Sequence, residues 1–528
     1  MRREHRSAGE DAAFLTLFSV LSQLLGFAYR VGLSRAVGAQ VLGLYQLVMP
    51  VYSVLMSVTA VGLTAAVSNL SARYLALNNS RAVGQTVSSS LRLFLCMVLP
   101  VAVVTVALYD PISVYLLGDA RTQLALVLLL PCVTLTGIEN FHKHFFYGTG
   151  QVRPPAVVEL LEQFIRAGAV LGLLLLFLPQ NPERTVGLIV TGMILCEIFS
   201  SVALLFLYRR RMRRIGLRGE GERPRRLYRR MASIALPVGA TALLGNLMGA
   251  VNAAIIPRKL VAAGMERGEA MSAFGVLCGM TMPMLSLPTV LLGALSLVVM
   301  PRVARSCALG QMDRVRRDIL GALEVVALVI LPCMALVTVV GPDLGLLLFG
   351  EPCAGQYMVP LAFATACGCF QSVLSGALNA AEHQGAAAVI ALLCDVVQLA
   401  LTEIMMGRPG TGMEGFVTGV VVSSVFGLVL CVWAVCRYTN MKLRLRKLVW
   451  MPGLASLLSW QTSLLLFHRM VDARAPLLLR VGLVVIFAAT VYLCALFGMG
   501  KGAGGGNSFF SAERENCVDK SKQCRYNS

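Results

Sequence analysis

Arg30 stands in LLGFAYRVGLSR (24–35), inside an apolar run that begins at Ala12, and no acidic residue follows it until Asp110. A guanidinium in hydrocarbon costs about 2.5–3.5 kcal/mol or more unless it snorkels, pairs or faces water. Three roles fit: a membrane-end anchor, half of an ion pair, or part of the wall of a polar cavity. Ser19, Gln23, Gly26, Arg30 and Ser34 follow steps of four, three, four and four, which sets them on one helical stripe. Such a stripe suits a wet cavity. Arg30 also lies about 27 Å along the helix from Ala12, near the outer end where snorkelling is cheap. Pattern alone leaves anchor and cavity open.

A second group lies in one later apolar run: Glu159, Glu162, Gln163 and Arg166. Positions 159, 162 and 166 share a face, and Glu162 and Arg166 are spaced to pair across one turn. Asp395, Gln398 and Thr402 repeat the same steps further on, and Asp395 has no basic partner on its own helix. Ionisable groups at such depth face a bundle interior. They are candidates for proton or cation coupling, against the plainer reading of Glu162 with Arg166 as a structural pair. Glu139, Glu197, Glu324 and Glu403 lie in or near other apolar runs. Arg258 and Lys259 close another run, giving it a cation near the same end as Arg30. His142 and His144, beside Lys143 in ENFHKHFFYGTGQ, have no metal-ligand spacing and read as an interfacial belt. The fifteen cysteines mostly sit in apolar runs as small buried hydrophobes, and Cys367-x-Cys369 has no companions at zinc spacing. No phosphate-binding glycine loop, zinc-protease helix or nucleophile elbow is found, which argues against an enzyme and against ATP-driven transport.

The elements that must hold these groups follow from composition. Hydrophobic residues make up 57% of the chain and charged ones 14%, at a mean hydropathy of +0.74. That is the composition of an all-α polytopic membrane protein. Spans are expected near 12–33, 42–67, 88–108, 122–141, 156–178, 186–208, 232–256, 275–300, 319–341, 359–381, 385–406, 414–436, 448–468 and 476–498, about fourteen in all. Proline falls inside several, which kinks helices. The basic start followed by an apolar run reads as an uncleaved first span. An even count puts both termini on one side. Connections on that side carry 28 Lys and Arg against nine on the other, so it is expected to be the cytoplasm and the location a cell membrane. The run RRRMRRIGLRGEGERPRRLYRR (209–230) holds eleven Arg and two Glu and reads as a loop held at anionic membrane lipid. Nucleic acid is not expected, because only Tyr228 offers a stacking ring.

That loop divides a repeat. Pro50 and Pro283, Asp110 and Asp343, and Glu162 and Asp395 are each 233 residues apart, and YDPISVYLLGD (109–119) resembles GPDLGLLLFGE (341–351). The expected organisation is an N-terminal lobe of six helices (1–208), a basic linker (209–231), a C-terminal lobe of six (232–436), two appended helices (437–498) and a disordered tail (499–528). Two pseudo-symmetric lobes of the same orientation place a substrate site between them.

The stretch LLGFAYRVGLSRAVGAQVLGLYQLVMPVYSVLMSVTAVGLTAAVSNLSARY resembles the start of the stage V sporulation protein B family. YGTGQ, IIPRKLVAAG (255–264) and FGVLCGMTMPMLSLPTVLLGALSLVVMPRVA (274–304) fit that family too, over roughly 12–440. It belongs with lipid II flippases, O-antigen flippases and multidrug antiporters in the multidrug/oligosaccharidyl-lipid/polysaccharide exporter superfamily. The resemblance implies a V-shaped, two-lobed transporter. It would work by alternating access and move an undecaprenyl-linked saccharide, such as a peptidoglycan precursor for spore cortex, to the outer leaflet. It implies coupling to H+, Na+ or membrane potential rather than a cofactor, and peptidoglycan-synthesis proteins as further partners. Arg30 stands at the position of a cavity arginine that holds pyrophosphate in lipid II flippases, where bidentate bonding suits a diphosphate. Unlike those flippases, this chain has no Arg or Lys in 42–67 or 275–300, and Arg258 is the candidate replacement. Gln23, Gly26 and Ser34 complete the expected cavity set. The competing readings are a cation-coupled drug exporter, which would need an acidic residue, and a transport-inactive scaffold for wall-synthesis enzymes.

Overall fold

The computed structural model describes residues 2–177, 181–216, 218–406, 410–441 and 445–502, and among them there is no strand. The tail expected from residue 499 begins as helix through Gly502, and its remainder, 503–528, lies outside the described residues.

Among the described residues, fifteen helices of ten or more residues carry the fold. The first half holds α1 (Arg2–Met56), α2 (Gly62–Ala76), α3 (Ser80–Ala107), α4 (Gln123–Gly148), α5 (Arg153–Phe177) and α6 (Pro182–Ile215). The second holds α7 (Pro224–Ala262), α8 (Arg267–Val276), α9 (Val290–Ala308), α10 (Met312–Phe349), α11 (Met358–Ala380), α12 (Gln384–Met406) and α13 (Gly412–Thr439), followed by α14 (Leu445–Asp472) and α15 (Leu477–Gly502). Among the described residues, eleven helical stretches are long and apolar enough to cross a membrane, and one of them, Phe14–Ala76, is long enough for two crossings. Each expected span other than 275–300 falls on helix, and those expected at 12–33 and 42–67 share the one continuous stretch Phe14–Ala76.

Three boundaries differ from the expected ones for local reasons. The connection expected at 34–41 is a single bend at Gly38, whose φ of 76° lies where only glycine is at ease. The span expected at 275–300 is broken: beyond α8 the helix passes through a π-helical turn and Met282–Ser286, stops, and resumes at Val290 just after Pro288, which has no N–H to give. The connection expected from residue 342 begins only at Gly350, because α10 runs on to Phe349.

The arginine-rich linker is mostly helix as well. Residues 209–215 end α6 and 224–231 begin α7, and the short piece between is strapped to the start of α3. Ser80 Oγ donates to Gly216 O (2.5 Å) and accepts from Arg218 N (2.8 Å), and Glu222 N donates to Gln85 Oε1 (2.8 Å).

The two halves touch in two places. On the side opposite the arginine-rich linker, α1 beyond its bend packs on α8 so closely that a Cβ on Gly275 would lie 2.0 Å from Ala39 O, and one on Gly43 2.2 Å from Met271 O. Arg35 adds bonds to the carbonyls of Leu347 and Leu348 at the end of α10, the latter at 2.7 Å. Along one flank, α2 lies on α7, with a Cβ on Gly62 2.2 Å from Ala235 O and Asn246 Nδ2 2.5 Å from Ser57 Oγ. The appended pair is docked on α10: Arg480 pairs with buried Asp343, Trp460 Nε1 donates to Thr338 Oγ1 (2.9 Å) and Tyr492 OH to Leu328 O (2.8 Å).

Candidate functional site

Where the halves diverge, they enclose a cavity of about 200 Å³. One wall comes from α1, with Gln23, Gly26 and Arg30; a second from α5, with Glu159, Gln163 and Arg166; a third from Gly279, Pro283 and Ser286. Gly26 faces Gln163 of α5, whose Oε1 lies 3.5 Å from where a Cβ would sit. A second cavity of about 500 Å³ shares Gln23, Ser286 and Val290 with the first and runs along α1 to Thr16 and along 286–293. A third, of about 480 Å³, shares Thr289 and Gly293 with the second and enters the C-terminal half among Ser296, Thr365, Ser372 and Ser424. The adjoining spaces form one polar path. Its charged groups are all in the N-terminal half, and its far end is lined by hydroxyls and small residues.

Arg30 is exposed to this path and has no ion-pair partner among the described residues. Of the three roles open to it, the half-ion-pair role is therefore absent in this conformation. Ser34 is buried at 2% exposure and its Oγ has no hydrogen-bond partner; it does not line the cavity. Arg258 is not in the cavity wall. It lies at the far end of α7 alongside Gly118, where a Cβ would come 2.8 Å from its Nε. Lys259 next to it pairs with Glu403 of α12. Asp395 is half-buried on α12, lines none of the three spaces and has no ion pair among the described residues.

Beneath the α5 wall is a charged cluster that joins three helices. Arg166 pairs with Glu162 one turn back, comes within 3.5 Å of Glu197 Oε1 on α6, and donates from Nε to Cys196 Sγ at 3.4 Å. Glu139 on α4 accepts from Ser200 Oγ at 2.8 Å, and Lys143 pairs with Glu159 at 2.8 Å. Glu139, Glu162 and Glu197 are 3–5% exposed, and Glu197 Oε2 is buried without a partner. Ligand atoms of Glu162, Cys196 and Glu197 lie within 4.8 Å of one another. Four carboxylates thus share two cationic side chains in an apolar setting, where an excess of one sign is costly. Sequence spacing finds the Glu162–Arg166 pair but not Glu197 or Cys196, because their contact crosses between helices. The one signal is Glu197 and Ser200 at helical spacing in an apolar run.

Two helical halves that meet on one side and enclose a path between them define a two-lobed helical fold of the kind found in membrane transporters. Among solved structures, the lipid II flippase MurJ in an inward closed conformation superposes with a TM-score of 0.67, covering 92% of this chain and 98% of that one at 11% identity. An inward-facing multidrug transporter of the MATE family in the MOP superfamily gives 0.63 over 81% of this chain and 98% of its own, at 15% identity. At these identities the likeness describes the fold. A family model for polysaccharide biosynthesis proteins matches residues 8–307, and the chain belongs to that family. Curated relatives include the stage V sporulation protein B of Bacillus subtilis (strain 168), 22% identical over 440 residues, which are 81% of this chain and 83% of that protein. The sporulation protein YkvU of the same organism is 21% identical over 57% of this chain and 66% of its own.

Proposed function

We propose that this chain moves an undecaprenyl-linked saccharide from the cytoplasmic to the outer leaflet of the cell membrane by alternating access. The observation that carries the reading is Arg30, an unpaired guanidinium facing a membrane-embedded path beside Gln23, Gln163 and Arg166. A free guanidinium at Arg30 with the amides of Gln23 and Gln163 beside it matches a diphosphate, whose oxygens accept bidentate bonds. The polysaccharide-biosynthesis family supports a saccharide cargo and the sporulation relatives support sporulation as the setting; a peptidoglycan precursor for spore cortex is the cargo this reading proposes. The Lys and Arg bias across the connections supports cytoplasmic termini. The substrate would then enter from the cytoplasmic side, along Thr16–Gln23 and 286–293.

The cluster of Glu139, Glu159, Glu162 and Glu197 around Arg166 and Lys143 supports coupling to a proton or Na+, which would make up the deficit of positive charge. Asp395 is the corresponding candidate in the other half. A second reading, export of cationic drugs, is favoured by one observation: Glu159 puts a carboxylate in the cavity wall.

The test is a proteoliposome carrying fluorescent undecaprenyl-diphosphate disaccharide and an impermeant quencher. Flipping by the wild type that Arg30→Ala reduces at least about tenfold, the weight of one charge-assisted bond, supports the proposal. Equal flipping by both proteins overturns the role of Arg30. No flipping, with ion-dependent efflux of a cationic dye, favours the drug exporter. Neither activity favours a scaffold for peptidoglycan-synthesis proteins.

A further inference from the structure

A separate cleft of about 550 Å³ lies between α3 and α7 and shares no lining residue with the polar path. Its floor is Val58, Thr59 and Gly62; its walls are Leu93 and Met97 on one side and Leu236 and Leu243 on the other. No carboxylate lines it. From Tyr228 to Leu243 it follows α7 for about 22 Å at 1.5 Å per residue, more than half of a hydrocarbon core about 30 Å thick. The floor belongs to the first half of the chain and one wall to the second, so whatever fills the cleft touches both.

The α7 wall continues past the mouth of the cleft as a charged stripe. Arg225, Arg229, Ala232, Leu236, Gly239 and Leu243 follow steps of four, three, four, three and four, and so lie on one face. Glu222 sorts the arginines of this helix. It pairs with Arg230 at 2.8 Å and Arg226 at 3.3 Å, and accepts from Tyr74 OH at 2.9 Å. Arg225 and Arg229 are exposed and have no ion-pair partner among the described residues. On the α3 wall, Arg92 turns back along its helix to Ser88 O and Ser89 Oγ, towards the same end.

We propose that this cleft binds one phospholipid with an anionic headgroup, its acyl chain along α7 and its phosphate at Arg225 and Arg229, and that the bound lipid holds the two lobes in the conformation described above. The charge pattern selects the headgroup, and the depth and apolar lining select a chain. This goes beyond the substrate reading, and its test needs no transport.

Purified protein is titrated with phosphatidylglycerol or phosphatidylcholine and bound lipid is counted by native mass spectrometry. Wild type retains one phosphatidylglycerol about tenfold more tightly than phosphatidylcholine, since each basic residue at a membrane surface is worth several-fold. Arg225→Gln with Arg229→Gln removes that preference, whereas Arg213→Gln with Arg214→Gln, exposed at the end of α6, keeps it. Ala240→Trp, which fills the cleft from an exposed position, abolishes the tight site while circular dichroism shows an unchanged helical fold. Equal retention of both lipids overturns the proposal. So does equal loss in the two arginine pairs, which would mean diffuse attraction. Tight binding that survives Ala240→Trp, or that requires a polyprenyl phosphate in place of phosphatidylglycerol, overturns it too.

Discussion

Arg166 and Arg30 are guanidiniums on facing walls of one cavity, with opposite commitments. Arg166 has Glu162, Glu197 and Cys196 as partners, whereas Arg30 has no ionic one. Arg166→Gln therefore leaves buried carboxylates uncompensated, at a cost of about 3–5 kcal/mol. Thermal unfolding in detergent should show this, and adding Glu162→Gln should restore part of the loss. Arg30→Ala should leave the melting profile within the scatter of an ordinary exposed substitution, about 0.5 kcal/mol, while flipping falls. A variant that loses both together would make Arg30 a structural residue. At this scale the residues on one helix were legible in advance. The spacing that puts Glu162 below Arg166 is visible in the chain order, as is the Gln23–Gly26–Arg30 stripe. The position of Arg258 at the far end beside Gly118, and of Glu197 under Arg166, depends on how helices cross, which no local spacing encodes.

Helices were legible by length and hydropathy because a segment that crosses lipid must satisfy its own backbone. What joins or breaks them was less so: a loop was expected where one glycine, Gly38, turns α1, and an unbroken span where Pro288 divides α8 from α9. The closed side depends on another backbone approach. Gly43 and Gly275 let α1 and α8 touch with no room for a Cβ. Gly275→Val should oppose that contact by about 1–3 kcal/mol, the range for overpacking. If this contact separates in the transport cycle, the variant shifts towards a state open on that side. A Gln40→Cys probe, on α1 near the contact, should then react faster with an impermeant maleimide added from that side. An unchanged rate would mean that the contact does not open.

The whole molecule has two halves joined by a short strap and a final pair of helices that is part of the body. Asp343 of α10 is buried and paired with Arg480 of α15, so removing one partner is worse than removing both. Arg480→Ala should lower the melting temperature more than Arg480→Ala combined with Asp343→Asn. If the double variant is no better than the single, the pair is not what holds α15. The expected repeat rests on prolines and acids matched at 233 residues. It does not show how unlike the two sites have become. Moved by 233 residues, Glu139, Lys143, Glu159, Arg166 and Glu197 fall on Ser372, Gly376, Leu392, Leu399 and Leu430, and only Glu162 keeps a carboxylate, at Asp395. The charge of the two halves is therefore unequal: one holds four carboxylates against two cations, while the matching positions of the other hold Asp395 alone among apolar and small residues, so a small cation drawn in by charge meets its stronger attraction on one side only.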